Sequence, residues 1–180
     1  MDDDPLYEKA RQKALRYLVY RGRSVEEVRS KLAGKGFDDG ITKKVVARFT
    51  DLGYLNDADF ARQWARGLAV GRLWGDRKIE ASLLEKGISR DLIGEAIAEA
   101  REEKDERRAV EELVEKRLRR GPVREVFSYK GKRRLMQTLV GRGFPVGLIL
   151  DVLREMGDTY NDGMDDPCSV GHSGDKGDIR

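Results

Sequence analysis

The densest group of side chains that could do chemistry lies between Lys116 and Arg134, in KRLRRGPVREVFSYKGKRR. This segment contains nine basic residues and one acidic residue, Glu125. Clustered cations of this kind bind phosphates and other anions. The alternative is an ordinary solvated helix face, although such a face usually mixes both signs, as residues 101–115 do. The candidate contact residues in this segment are Arg117, Arg119, Arg120, Lys130, Lys132, Arg133 and Arg134.

A second basic cluster surrounds a tryptophan in WARGLAVGRLWGDRK, at residues 64–78. Trp64 shares a helical face with Phe60 and is predicted to be core. Trp74 falls in a connection, so its pattern fits a core residue and a contact residue equally. Phe127 and Tyr129, within the first cluster, could stack on bases or fill the core. The candidate contact residues of the second cluster are Arg66, Arg72, Trp74, Arg77 and Lys78.

Signals for catalysis are weak throughout the sequence. GKGFDDG resembles a dinucleotide-binding motif, but its third glycine comes one position late and no strand precedes it. Cys168 and the only histidine, His172, lie in a Gly- and Asp-rich stretch and are too few for an ordinary zinc site. The acidic residues of REEKDERR suit the start of a solvated helix. We therefore expect no catalytic residue, no cofactor and no metal.

The distribution of charge separates the body of the chain from its two ends. The net charge of the 180 residues is +3, yet residues 5–154 carry 34 basic and 23 acidic side chains, a net charge of +11. Residues 2–4 are all Asp, and residues 155–180 contain seven carboxylates and two cations. A basic body with acidic ends favours an anionic partner, most often nucleic acid.

Apolar residues recur at helical spacing along most of the chain and restart twice, after Asn56 and before Ala109. Each restart predicts three short amphipathic helices. Ser24 followed by Glu27 fits a capping box at the start of the second helix. Asn56 is predicted to be an N-cap residue. The pattern therefore predicts three units of three helices.

A repeated phrase ends the second helix of each unit: KLAGKGF at residues 31–37, SLLEKGI at 82–88 and TLVGRGF at 138–144. If Gly36 is left-handed, Leu32 and Phe37 stand where a Schellman cap needs an apolar contact. Gly87 and Gly143 satisfy the same requirement. The basic residue before each glycine complements the negative end of the helix. We interpret the three glycines as structural caps, with a period typical of helical repeats.

The predicted fold is all-α, a tandem array of three three-helix repeats forming an elongated, curved solenoid. The predicted divisions are an acidic lead (1–7), repeats at 8–55, 56–101 and 102–156, and a disordered acidic tail (157–180). No stretch approaches the roughly 20 apolar residues of a membrane span, and MDDDPLYEK is unlike a signal peptide. We expect a soluble, cytoplasmic monomer without a membrane partner.

Together these segments resemble the RecX family, the bacterial regulators of the RecA recombinase. The resemblance rests on ALRYLVYRGRSVEEVRSKLAGKGF, DLGYLNDADFARQWAR and GDRKIEASLLEKGI, and on three units of three helices, over residues 8–156. The third unit matches in its apolar pattern more than in the identity of its residues. Asp76 stands where a basic residue or proline often occurs in such proteins.

The resemblance implies a non-enzymatic modulator that lies in the groove of the RecA filament on single-stranded DNA. There it would restrain ATP hydrolysis and strand exchange, or promote disassembly. The alternative is a sequence-independent DNA-binding protein built from helix-turn-helix-like units. Two of the three presumptive recognition helices are acidic or apolar, which disfavours base reading but not phosphate contact. A pure protein-interaction scaffold would leave the basic segment unexplained.

Overall fold

The computed structural model describes residues 4–162, and within them the backbone forms ten α-helices, one π-helix and no strand. The prediction of an all-helical array is confirmed. None of the described helices is long and apolar enough to cross a bilayer. The helices are α1 (Pro5–Tyr20), α2 (Val25–Ala33), α3 (Asp39–Asp51), α4 (Asp57–Arg66), the π-helix (Gly67–Gly71), α5 (Asp76–Leu84), α6 (Arg90–Glu103), α7 (Glu106–Leu118), α8 (Val123–Val126), α9 (Tyr129–Gly141) and α10 (Val146–Asp162).

The apolar residues form three separate clusters, and each cluster belongs mainly to one helical unit. Helices α1–α3 enclose the first, α4–α6 with the π-helix enclose the second, and α7–α10 enclose the third. Leu52 follows Phe49 by three positions, a spacing that predicts a core residue, but it is 46% exposed because α3 ends at Asp51. Leu55 is buried in that core instead. Separate cores are what an array of repeats requires.

The glycines of the repeated phrase have the backbone geometry of Schellman caps. Gly36, Gly87 and Gly143 have φ values of +83°, +74° and +91°. The bonds that close the caps run from Phe37 N–H to Leu32 O at 3.3 Å, from Ile88 N–H to Leu83 O at 3.2 Å, and from Phe144 N–H to Leu139 O at 3.3 Å. The orphan carbonyls of all three helix ends are thereby satisfied.

The helix starts agree with the predicted caps in part. Asn56 Oδ1 accepts the N–H of Asp59 at 3.1 Å, as predicted. Ser24 Oγ accepts the N–H of Glu27 at 3.1 Å, but the Glu27 carboxylate does not reach back to Ser24. It accepts hydrogen bonds from Arg21 and Lys86 instead, so the second half of the predicted capping box is wrong. Tertiary partners with positive charge outcompete a backbone N–H for this carboxylate.

Three features near the ends and in the third unit depart from the sequence prediction. Helix α1 begins at Pro5, within the segment assigned to the acidic lead. The third unit contains a fourth, short helix, α8, which forms a single turn within residues 121–128 before α9 starts. Helix α10 continues to Asp162, beyond the start of the tail assigned at residue 157, and Tyr160 packs against Phe127 with ring centroids 5.9 Å apart. Cys168 and His172 lie outside the described residues.

Neighbouring units are joined end to end through α2, α5 and α9. The N-terminus of α2 meets the C-terminus of α5, where Ser24 Oγ donates to Lys86 O at 2.7 Å. The N-terminus of α5 likewise meets the C-terminus of α9, where Gly75 N–H donates to Arg142 O at 2.8 Å. These contacts place the positive end of one helix dipole against the negative end of the next. The second junction also forms the wall of the candidate site.

A carboxylate from the following unit caps each of these N-termini. Asp57, the first residue of α4, accepts the N–H of Val25 at 2.8 Å. Glu106, the first residue of α7, accepts the N–H of Asp76 at 2.8 Å. Burial raises the pKa of both Asp57 and Glu106, since each carboxylate is partly removed from water. The two junctions therefore repeat one another in this carboxylate cap and in the direction of its pKa shift.

Candidate nucleic-acid interface

A concave groove of about 890 Å³ lies where the second unit meets the third. Its walls are residues 71–74 of the second unit together with α7 and α9 of the third. Among the described residues, no carboxylate lines it. The groove is therefore a positively charged surface built from two units. The cations that line it are Arg72, Lys116, Arg117, Arg120, Arg134 and Arg142.

Helical spacing aims two of these cations into the groove. On α7, Lys116 and Arg117 follow the lining residue Leu113 by three and four positions, which places them on its face of the helix, and Arg120 follows in the turn after α7 ends. The opposite face buries Val110 and Val114 in the third core. On α9, the residues lining the groove are Arg134, Leu135, Gln137, Thr138 and Leu139, and the two leucines are anchored in the same core.

Most cations in the groove lack an acidic partner within residues 4–162, in contrast to many cations elsewhere on the protein. Within residues 4–162, Arg117, Arg120 and Arg134 make no ion pair. Lys116 is the exception, because its Nζ lies 2.7 Å from Glu112. Hydrogen bonds from Lys104 and Lys116 lower the pKa of Glu112 to about 2. Convergent cations without counter-charges repel one another, and a bound polyanion would relieve that repulsion.

The wall from the second unit is held by contacts from both the second and the third unit. The Arg142 guanidinium donates to Arg72 O at 2.6 Å. Leu73 is buried in the core of the third unit and has a φ of +53°, an uncommon value for a residue with a β-carbon. The Arg101 guanidinium donates to Trp74 O at 2.8 Å. The segment that carries Arg72 and Trp74 into the groove is therefore fixed at three consecutive residues.

Trp74 combines the two roles that its sequence pattern left open. It is half-buried, packs against the core of the second unit and also lines the groove. Lys78 Nζ lies 4.5 Å from the centroid of its ring, and the Arg72 guanidinium carbon lies 5.7 Å from it. Both distances are within the range of cation–π attraction. The ring thus helps to hold cations at the edge of the groove.

The structure brings some of the predicted contact residues together and disperses the others. Arg72, Trp74, Arg117, Arg120 and Arg134 line the groove, and Lys130 lines a smaller adjoining pocket of about 230 Å³. Arg66 pairs with Glu103 at 2.6 Å and Arg119 with Glu115 at 3.6 Å. Lys78 Nζ donates to Gly141 O at 2.9 Å, and Lys132 Nζ lies 5.9 Å from the Phe127 ring. Arg77 and Arg133 are exposed.

Sequence reasoning missed two cations that belong to the groove. Lys116 belongs to the basic segment but is not among its predicted contact residues. It lies three positions after Leu113, and this interval on a helix could have identified it. Arg142 was assigned only to the third glycine cap. Its groove position depends on contact with residues 72–73, about 70 positions earlier in the chain, and no local pattern reports such a contact.

Fold and groove together define a tandem all-helical repeat protein with a basic surface at its second junction. The family model described as "RecX, first three-helix domain" matches residues 10–49, and that described as "RecX, second three-helix domain" matches residues 56–97. The chain belongs to the RecX family. Its curated relatives are named as regulatory proteins rather than enzymes, which supports a regulatory role.

Similarity to individual relatives extends over most of the chain. It is 34% identical over 148 residues to the regulatory protein RecX of Mycobacterium sp. (strain KMS), covering 81% of this chain and 80% of that protein. It is 35% identical over 150 residues to the regulatory protein RecX of Mycolicibacterium vanbaalenii, with 81% of each chain covered. The crystal structure of RecX from Lactobacillus salivarius superposes with a TM-score of 0.70 at 24% identity, covering 86% of this chain and 97% of that one. That superposition shows that the fold is shared.

Proposed function

We propose that this protein regulates a RecA recombinase by lying in the groove of the RecA filament on single-stranded DNA. There it mostly restrains ATP hydrolysis and strand exchange, and it does so without catalysis of its own. The observation that carries the proposal is the groove at the second junction, which cations line and which no carboxylate of residues 4–162 enters, in a chain of the RecX family. A positively charged concave surface suits a filament that presents DNA phosphates.

The repeats act as one extended surface in this proposal, with units at residues 8–55, 56–101 and 102–156. Arg72 comes from the second unit, and Arg117, Arg120 and Arg134 come from the third. A strand bound here contacts two units at once, and each phosphate that is neutralised releases counterions. Contacts to phosphates carry no sequence information, so the regulator acts wherever a filament has formed.

The test compares two double charge reversals that change the net charge equally. R117E/R134E changes two unpaired groove arginines, whereas R66E/R119E changes two arginines that pair with carboxylates outside the groove. ATP hydrolysis by RecA on single-stranded DNA is measured at increasing concentrations of each protein. The groove variant should need at least about 10-fold more protein for the same suppression, because it loses one part of a multivalent contact. The control should resemble the parent.

Failure of the parent to change RecA activity at excess protein would remove the proposal. Equal loss of suppression in both double variants would show that overall charge, rather than the groove, is responsible. Circular dichroism of both variants is expected to match the parent, since all four arginines are exposed.

The same groove also supports a second candidate, a sequence-independent DNA-binding protein that does not need the filament. The third helices do not favour base reading: Lys43 on α3 pairs with Asp39 at 2.6 Å, α6 is rich in carboxylates, and the N-terminal half of α10 is apolar. The two candidates differ in their preferred target. A regulator binds preformed RecA filaments more tightly than naked single strands, whereas a plain DNA-binding protein binds both equally.

A further inference from the structure

Tyr129, the first residue of α9, is 81% exposed although it carries a large aromatic ring. Phe127, two residues earlier, packs against the third core and against Tyr160. The sequence left both rings open between core filling and base stacking. The structure separates them, because Phe127 contributes to the fold whereas Tyr129 has no ring contact within residues 4–162. An aromatic side chain that the fold leaves unused is available to a ligand.

The surroundings of Tyr129 identify the kind of ligand. Its chain neighbours Ser128 and Lys130 line the smaller pocket beside the groove, where Arg117 and Arg134 outnumber the single described carboxylate, Glu125. Arg117 and Arg134 line the groove as well, so the two concavities share a wall. Because a helix rises 1.5 Å per residue, Tyr129 stands roughly 14 Å along α9 from Thr138 in the groove. That distance is longer than one phosphate-to-phosphate step of an extended strand.

We propose that Tyr129 stacks on an unpaired base of a strand whose phosphates lie along the groove, and that this contact makes the protein prefer single-stranded to double-stranded nucleic acid. The inference rests on the proposed function only in taking the groove as the phosphate site. Cations that bind phosphates do not by themselves distinguish one strand from two. A base in a duplex is already stacked between its neighbours, whereas a base in a single strand can turn onto an aromatic ring.

The aromatic residue that lines the groove itself, Trp74, does not offer the same surface. Trp74 is half-buried, and Lys78 and Arg72 lie over its ring at 4.5 Å and 5.7 Å from the centroid. Ser128 Oγ accepts the N–H of Gly131 at 3.1 Å, which fixes the first turn of α9 and therefore the backbone position of Tyr129. The selective contact is thus assigned to Tyr129, at a defined position beside the basic channel.

The experiment measures binding of the full chain to a labelled oligothymidylate and to a labelled duplex of equal length, by fluorescence anisotropy at one salt concentration. Y129A should bind the single strand about 5- to 100-fold more weakly and the duplex as well as the parent does. Y129F and Y129W should retain the preference, because both keep an aromatic face. Tyr20, which is 85% exposed at the end of α1, provides the matched control, and Y20A should behave like the parent.

Three results would overturn the inference: no single-strand binding by the parent, an equal loss of both substrates in Y129A, or no loss of either. Unfolding curves of Y129A are expected to match the parent, so weakened binding cannot be attributed to misfolding. The outcome is independent of RecA. A parent that leaves RecA activity unchanged while Y129A loses only single-strand binding removes the proposed function and keeps this inference. A parent that suppresses RecA while Y129A binds both substrates normally keeps the proposed function and removes this inference.

Discussion

The backbone N–H of Gly75 donates a 2.8 Å hydrogen bond to the backbone carbonyl of Arg142, and this bond joins the second unit to the third. A Cβ atom on Gly75 would lie 2.4 Å from the carbonyl carbon of Gly143. The corresponding contact at the first junction runs from Ser24 Oγ to Lys86 O. In the second and third units, the repeated glycine phrase therefore ends a helix and also provides the surface on which the preceding unit docks.

Replacing Gly75 with alanine should separate the second junction. The new methyl group meets backbone atoms of Gly143 and Phe144, which cannot move as a flexible side chain could. The free energy of unfolding in urea should fall by about 1 to 3 kcal/mol. Gly94 in the middle of α6 is the control, since a Cβ there meets nothing within 4 Å. G94A should be at least as stable as the parent, and equal stability of the two variants would contradict the close contact.

The three cap glycines should differ when each is replaced by alanine. All three have positive φ, which costs about 1 to 2 kcal/mol for a residue with a β-carbon. At Gly36 nothing lies within 4 Å of the new atom, so this cost is the whole effect. At Gly87 the atom would lie 2.5 Å from Glu26 Cβ, and at Gly143 it would lie 2.6 Å from Lys78 Cβ. G87A and G143A should therefore unfold at lower temperature than G36A, and identical melting of all three would exclude the docking role.

Acid should weaken the first junction through Glu27. Burial alone would raise the pKa of this carboxyl, but hydrogen bonds from Arg21 and Lys86 outweigh burial and lower the pKa from 4.5 to about 2. A lowered folded-state pKa means that the stabilisation is present above pH 4.5 and is lost as the pH falls towards 2. E27Q should cost about 1 to 3 kcal/mol at pH 7. Urea unfolding between pH 4.5 and 2 should then depend less steeply on pH in E27Q than in the parent.

Two other junction carboxylates have the opposite effect on how stability depends on pH, so the experiment must separate their contribution from that of Glu27. Burial raises the folded-state pKa of Asp57 and of Glu106, so their protonation favours the folded state as the pH falls. The comparison of E27Q with the parent removes their contribution, because both proteins contain Asp57 and Glu106. A variant with the same steep pH dependence as the parent would show that Glu27 is not the responsible group.

Single removals of groove cations should change the salt dependence of binding to single-stranded DNA. R120A removes an unpaired arginine of the groove, so the slope of log K against log salt should fall by roughly 0.7 in magnitude. R66A removes an arginine that pairs with Glu103 outside the groove, and its slope should equal that of the parent. Titrations at several salt concentrations measure both slopes. Equal changes in R120A and R66A would indicate a diffuse charge effect without a localised site.

Much of the local structure followed from neighbouring residues. The positions of the glycine caps depend on the order Leu, two variable residues, a cation, Gly and an apolar residue. Such a motif lies within the last turn of a helix and the residues that follow it. The N-cap of Asn56 is local in the same sense. The short helix α8 was not predicted, because four residues are too few to show a period. The continuation of α10 was not predicted, because Gly157 and the carboxylates after it are typical of a tail. In the structure, Tyr160 packs against the ring of Phe127.

The sequence by itself determined that the chain is a basic array of helical units, because periodicity, capping and charge balance are properties of short segments and of composition. Only the tertiary structure decided which cations act together. Arg66 and Arg72 are six positions apart, yet Arg66 is neutralised by Glu103 and Arg72 enters the groove. Arg142 joins the groove through residues about 70 positions earlier. Ion pairs and the clustering of groove cations depend on distances of a few ångströms between remote segments. Those distances exist only once each unit has folded and the units have docked.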